Sequence, residues 1–185
     1  MATLTLTEAL AEIKTIGKRI TKKQDYARVL IARDERIRDP LEKQGGSVVG
    51  LAAELQSIRD LEERIILLRT RIQAANHRIR VTVQGEMRSL MEWLTWRKEV
   101  APPRQRFIGA MIASIASVRK EAQQKGLIVA AAAAVQSSGD GKPAQILVNL
   151  DEAALNAEAE RLELILGELD GQLSLKNATE TIEVG

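Results

Sequence analysis

Apolar residues recur at steps of three and four along most of the chain, and at steps of two in a few short stretches. The first spacing predicts amphipathic helices and the second predicts strands. Leu10, Ile13, Ile16 and Ile20 follow Thr5 and Glu8, whose separation of three is a capping box, so a helix opens there. After Gly45-Gly46-Ser47 a second helix carries Ile58, Leu61, Ile65, Leu68, Ile72, Ala75 and Ile79, a heptad seam with Ile at a and mostly Leu at d. At Asn76 the period changes: Ile79, Val81 and Val83 alternate with Arg80, Thr82 and Gln84, predicting a strand. Gly85 ends it and a third helix is expected from Glu86 to about Val100. Pro102 and Pro103 are expected to close that helix and open a fourth, running to Gly126. Two apolar stretches, Leu127–Val135 and Ile146–Val148, flank the turn-rich Ser137–Pro143 and read as a hairpin, with a helix open for the Ala-rich first arm. A fifth helix begins near Asn149 or Asp151 and carries Leu155, Leu162, Leu166, Leu169 and Leu173; Glu180–Val184 alternates again.

The helix-to-strand change recurs. A shift of 52 superposes Ile13, Ile16, Ile20, Gln24, Val29 and Ile31 on Ile65, Leu68, Ile72, Asn76, Val81 and Val83. A further 101 brings these onto Leu166, Leu169, Leu173, Asn177, Ile182 and Val184. Three long helices each feeding a strand predict a mainly α protein, an elongated bundle of coiled-coil hairpins with a small three-stranded sheet (Ala27–Ile31, Ile79–Val83, Glu180–Val184) at one end and a β-hairpin arm. The organisation is read as a helical bundle over 1–126, an inserted hairpin or arm over 127–149, and a helix and strand over 150–185 that complete the bundle.

Leu4-Thr5-Leu6-Thr7-Glu8-Ala9-Leu10, the helix end Arg71-Ile72-Gln73-Ala74-Ala75-Asn76, and Gly85 followed by Ser89-Leu90-Met91-Glu92 resemble the septicolysin-like family of small helical bacterial and phage-encoded proteins. The resemblance spans most of the first 125 residues and returns at the C-terminal helix. It implies a helical fold in which an Asn-ending helix precedes a glycine turn, and it implies no settled activity. The chain departs from the pattern at Ala178, where a Trp is expected, and at the inserted 127–149.

Composition narrows the chemistry. Of 185 residues 45% are hydrophobic but only 2% aromatic, so the core is aliphatic. With no cysteine and one histidine, His77, thiolate metal sites, disulfides and multi-histidine centres are excluded. His77 itself reads as a surface residue at a helix end. Gly139-Asp140-Gly141-Lys142 fails the phosphate-loop pattern, because Gln136 stands where a glycine is needed and Pro143 where Ser or Thr is needed. No enzyme, cofactor or metal is expected.

The net charge of +2 hides an asymmetry. Between Arg64 and Arg106 ten basic residues stand against three acids, and from Asp151 onward nine acids stand against two bases. The two stretches are expected to face each other. Trp93 and Trp96 in the basic stretch would suit nucleic acid, but the acidic segment opposes it. Phe107–Val118, twelve residues without a charge, is too short to span a bilayer and suits close helix packing in a core or subunit interface. MATLTLTEAL lacks the basic and apolar regions of a signal peptide, so an intracellular setting, cytoplasmic or within a virion, is expected.

The combined expectation is a structural assembly protein that forms homo-oligomers or joins other structural proteins, in concrete form a phage or phage-like virion component. Its interaction residues would be Ile58, Leu61, Ile65, Leu68 and Ile72 on the seam, Ile128, Val129, Ile146 and Val148 on the arm, and Trp93 and Trp96. The alternatives are a membrane-active, cytolysin-like protein and a nucleic-acid-binding adaptor.

Overall fold

The structure, a computed structural model, describes residues 2–131 and 145–184. It is mainly helical, with small paired strands. The chain divides into two units, Met1–Ile79 with Leu173–Gly185, and Arg80–Gln172. The division falls inside the stretch read from sequence as one bundle over 1–126.

In the first unit β1 (Thr3–Thr5) leads into α1 (Leu6–Val29) through the capping box: the Glu8 amide donates to Thr5 Oγ1 at 3.2 Å, and the Thr5 amide donates to Glu8 Oε2 at 2.7 Å. The Thr5 amide first and the Thr5 hydroxyl second, the latter at 2.9 Å, donate to the Glu8 carboxylate and hold it below its usual range. A loop containing the short 3₁₀ turn Glu42–Gln44 returns the chain to α2 (Gly46–Arg78), which packs along α1. Gly45 and Gly46 both have positive φ, the backbone that lets the chain turn into α2. One turn later Gly50 admits Leu41: a Cβ there would meet Leu41 Cδ1 at 2.6 Å. Asp39 fastens the same loop, accepting the Ser47 amide at 2.8 Å, the Ser47 hydroxyl at 2.7 Å and the Leu41 amide at 2.8 Å.

The expected seam exists and is internal. Ile58, Leu68, Ile72 and Ala75 are buried, Leu61 and Ile65 half-buried, facing the Ala9, Ile13 and Ile16 stripe of α1. Two pairs lock the helices side by side: Lys23 with Glu54 and Arg64 with Glu12, each at 2.8 Å. The unit is closed by β6 (Thr181–Glu183), antiparallel to β1 with Leu4 opposite Ile182. Ile182 and Val184 are buried, and Arg64 donates to the Val184 carbonyl at 2.8 Å.

The second unit opens with β2 (Arg80–Val83), paired antiparallel with β3 (Glu86–Ser89). The two-residue turn Gln84-Gly85 has positive φ at both positions, 47° and 78°, as a tight hairpin requires. Gln84 bears this strained backbone while its amide and side chain both donate to Glu168 Oε2, at 3.1 and 2.6 Å. Glu86–Ser89 is thus a strand and not the start of the expected third helix. That helix, α3 (Leu90–Thr95), starts at a second capping box, Ser89 with Glu92. The expected break at Pro102 and Pro103 is also absent. A π segment, Trp96–Val100, joins α3 to α4 (Ala101–Gln124), and the Ala101 amide bonds back to the Trp96 carbonyl. The prolines lack amides, and the widened turn just before them is where the hydrogen-bond ladder accommodates that loss.

Ala101, Ile108, Ile115 and Ala122, seven apart along α4, are buried. The first three pack with Leu155 and Leu162, themselves seven apart on α5 (Glu152–Thr179). This is a second heptad seam. Asp151 caps α5 by accepting the Ala153 and Ala154 amides. Between α4 and α5, β4 (Ile128–Ala131) and β5 (Gln145–Val148) pair in parallel, not antiparallel as a hairpin would. A parallel pair needs a long crossover, and residues 132–144 separate the strands, more chain than a tight turn uses. The expected turn Ser137–Pro143 and glycine loop lie outside the described residues.

The three-stranded sheet is therefore replaced by separate two-stranded pairs. Ala27–Val29 completes α1, so the shift of 52 does not mark a repeat of structure. The shift of 101 does. Leu68 and Leu169 are fully buried, and Val81 and Val83 match Ile182 and Val184 in burial. In both units a strand after a long helix pairs antiparallel with a strand that ends in a capping box and starts a helix.

Candidate functional site

Strand β3, which pairs with the β2 strand buried at Val81 and Val83, brings Glu86 and Arg88 to one wall of a cleft in the second unit. From the turn of α3 that follows, Trp93 inserts its indole and donates Nε1–H to the Val81 carbonyl at 3.1 Å. It is 2% exposed. One turn on, Trp96 meets it edge to face, with ring centroids 5.6 Å apart. The Arg88 guanidinium of β3 lies over Trp93, 5.0 Å from the ring centroid, a cation–π contact. Arg88 is itself paired with Glu86, donating from Nε at 2.8 Å.

Helix α5 supplies the facing wall: Ala154, Ala157, Leu162 and Ile165 give it an apolar surface, with Glu158 and Arg161 at its edge. Arg104 from α4 pairs with Glu158, donating from Nε at 2.9 Å. The cleft is open to solvent and has a volume of about 640 Å³, within the range of about 300–1,000 Å³ in which small molecules are bound. Glu92, which caps α3 beside the cleft, is held below the usual carboxylate range by the Ser89 hydroxyl first and the Ser89 amide second. It is thus a fixed anion that orients β3 and α3.

A second feature of the unit lies on α4, away from the Ile108–Ile115 stripe. Phe107, Gly109, Ala110, Ala113, Ser114, Ala116 and Ser117 are all exposed, and Phe107 is 64% exposed. Phe107, Ala110, Ser114 and Ser117 follow helical spacing, so one face of the helix carries no charge for about 15 Å at ~1.5 Å per residue.

The residues singled out from sequence divide accordingly. Ile58, Leu61, Ile65, Leu68 and Ile72 are used up inside the first unit, against α1. Trp93 is structural, and Trp96, half-buried, lines the cleft. Val129 stands opposite Ile146 in the parallel register. Ile128 is half exposed, whereas Val148 packs against the α4–α5 core. The basic and acidic stretches do meet within the second unit, Arg97 with Asp170 at 2.8 Å and Arg104 with Glu158. His77 is exposed in the last turn of α2.

Arg88, Arg104 and Arg161 were not singled out as site residues. Arg88 and Arg161 lie more than seventy residues apart, and nothing in either neighbourhood announces the other. The Ser89–Glu92 box that sets the cleft wall was legible, since it has the same form as Thr5–Glu8. Among the described residues no cluster of His, Asp and Glu could hold a metal ion, and no helix is long and apolar enough to cross a membrane. The chain matches no family model, no curated protein and no solved structure.

Proposed function

We propose that the protein is a structural component that self-associates, with the charge-free face of α4 as its contact. The observation that carries this reading is Phe107, an aromatic side chain 64% exposed on a helix face whose other exposed residues are Gly, Ala and Ser. Monomeric soluble proteins rarely leave a long apolar stripe in water. Small residues at helical spacing let a second helix approach closely, and a large aromatic beside them supplies the anchor. The nucleic-acid alternative loses support from the same unit: Arg88, Arg97 and Arg104 are engaged by carboxylates, and Trp93 is buried with its N–H bonded.

Molecular mass by light scattering tests it. The wild-type chain is expected to run as a dimer or higher oligomer at tens of micromolar, and Phe107→Glu to run as a folded monomer. A monomeric wild type, or an oligomer indifferent to Phe107→Glu and Ala110→Arg, overturns the reading.

A further inference from the structure

We infer that the cleft of the second unit binds a small amphipathic monoanion, a carboxylate carried on an apolar body. The inference rests on charge and shape together. Three guanidinium groups border the cleft, but Glu86 neutralises Arg88 and Glu158 neutralises Arg104. Arg161 has no ion-pair partner among the described residues. The cleft therefore carries one uncompensated positive charge, which one carboxylate neutralises and a dianion overshoots. Behind the cation the wall is apolar, with Leu162 buried and Ile165 and Trp96 half-buried. An alkyl or aryl body laid there removes that surface from water, while its carboxylate takes two parallel hydrogen bonds from the Arg161 fork. The Arg88–Trp93–Trp96 stack fixes the opposite wall, so the cleft is formed before the ligand arrives.

The molecule carries its own reporter, because its two tryptophans, Trp93 and Trp96, both line this cleft. Octanoate is the probe, with octanol as its neutral analogue and octyl phosphate as the more highly charged one. Titrated into the full chain, octanoate is expected to shift or quench tryptophan emission saturably, with at least tenfold tighter binding than octanol. Arg161→Gln is expected to abolish that preference while leaving the helical circular dichroism and the melting curve unchanged. Arg119→Gln, which removes an ion pair with Glu152 outside the cleft, is expected to bind octanoate as the wild type does. Equal binding of octanol and octanoate, tighter binding of octyl phosphate, full retention by Arg161→Gln, or no saturable response to octanoate each overturns the inference.

Discussion

Leu68 and Ile65 occupy adjacent positions of one heptad seam, yet the structure treats them differently. Leu68 has no exposed surface, whereas Ile65 is half-buried at the margin of the α1–α2 contact. Leu68→Ala removes three buried carbons, forfeiting about 2.4 kcal/mol at ~0.8 kcal/mol per methylene. The cavity left behind adds between nothing and about 2 kcal/mol, depending on how far α1 and α2 collapse into it. The expected cost is therefore about 2.5–4.5 kcal/mol. Ile65→Ala removes carbons that already touch water and should cost about 1–2 kcal/mol by the same reasoning. Urea denaturation followed by helical circular dichroism measures both. Because the chain has two units, a second probe is needed, and the two tryptophans report the second unit alone. Leu68→Ala should move the circular-dichroism transition more than the tryptophan transition unless the units unfold together. Equal costs for the two variants, or a Leu68→Ala cost below about 1 kcal/mol, would place the seam at the surface and refute the packing described.

Ending the chain after Asn177 removes β6 and with it the buried Ile182 and Val184, the β1 pairing and the Arg64 bond to the Val184 carbonyl. The first unit should lose several kcal/mol, since each fully buried aliphatic side chain stabilises by about 1.5–3 kcal/mol; an unmoved circular-dichroism transition would show β6 to be a dispensable tail. Asp39, held at about 2 chiefly by the Ser47 amide, then by the Ser47 hydroxyl and the Leu41 amide, stabilises the α1–α2 loop only when ionised. Its folded value lies below the ordinary 3.8, so its contribution is whole above pH 3.8 and is lost as pH falls toward 2. Unfolding midpoints should drop across that window in the wild type and more shallowly in Asp39→Asn, and parallel profiles would count against this role.

Most of the helical plan was legible because it is local. The Thr5–Glu8 box, the α2 seam and the strand that follows it are each set by residues within a turn or two of one another, and the structure keeps all three, although α2 runs past Asn76 to Arg78. The shift of 101 was legible for the same reason, since burial in a helix and in the strand after it imposes the same spacing twice. The shift of 52 misled because heptads align with any heptads: α1 continues through Val29, where no turn residue stops it.

The sequence by itself determined that this is an aliphatic, helix-dominated chain without thiolate or multi-histidine chemistry, and where α1, α2 and α5 begin. It could not choose strand partners. Pairing β1 with β6 joins residues almost the whole chain apart, and the competing partner for Glu180–Val184 had an equally good alternating pattern. Nor could it choose direction, because apolar arms around a glycine-rich stretch fit a hairpin as well as the parallel β4–β5 pair. The cleft is likewise a product of tertiary structure. Arg88, Trp96, Arg104 and Arg161 become neighbours only when α5 packs on α4 through Ile108 and Leu162. Hydrophobic periodicity specifies which face of a helix is buried, but it does not say which other face will be found there.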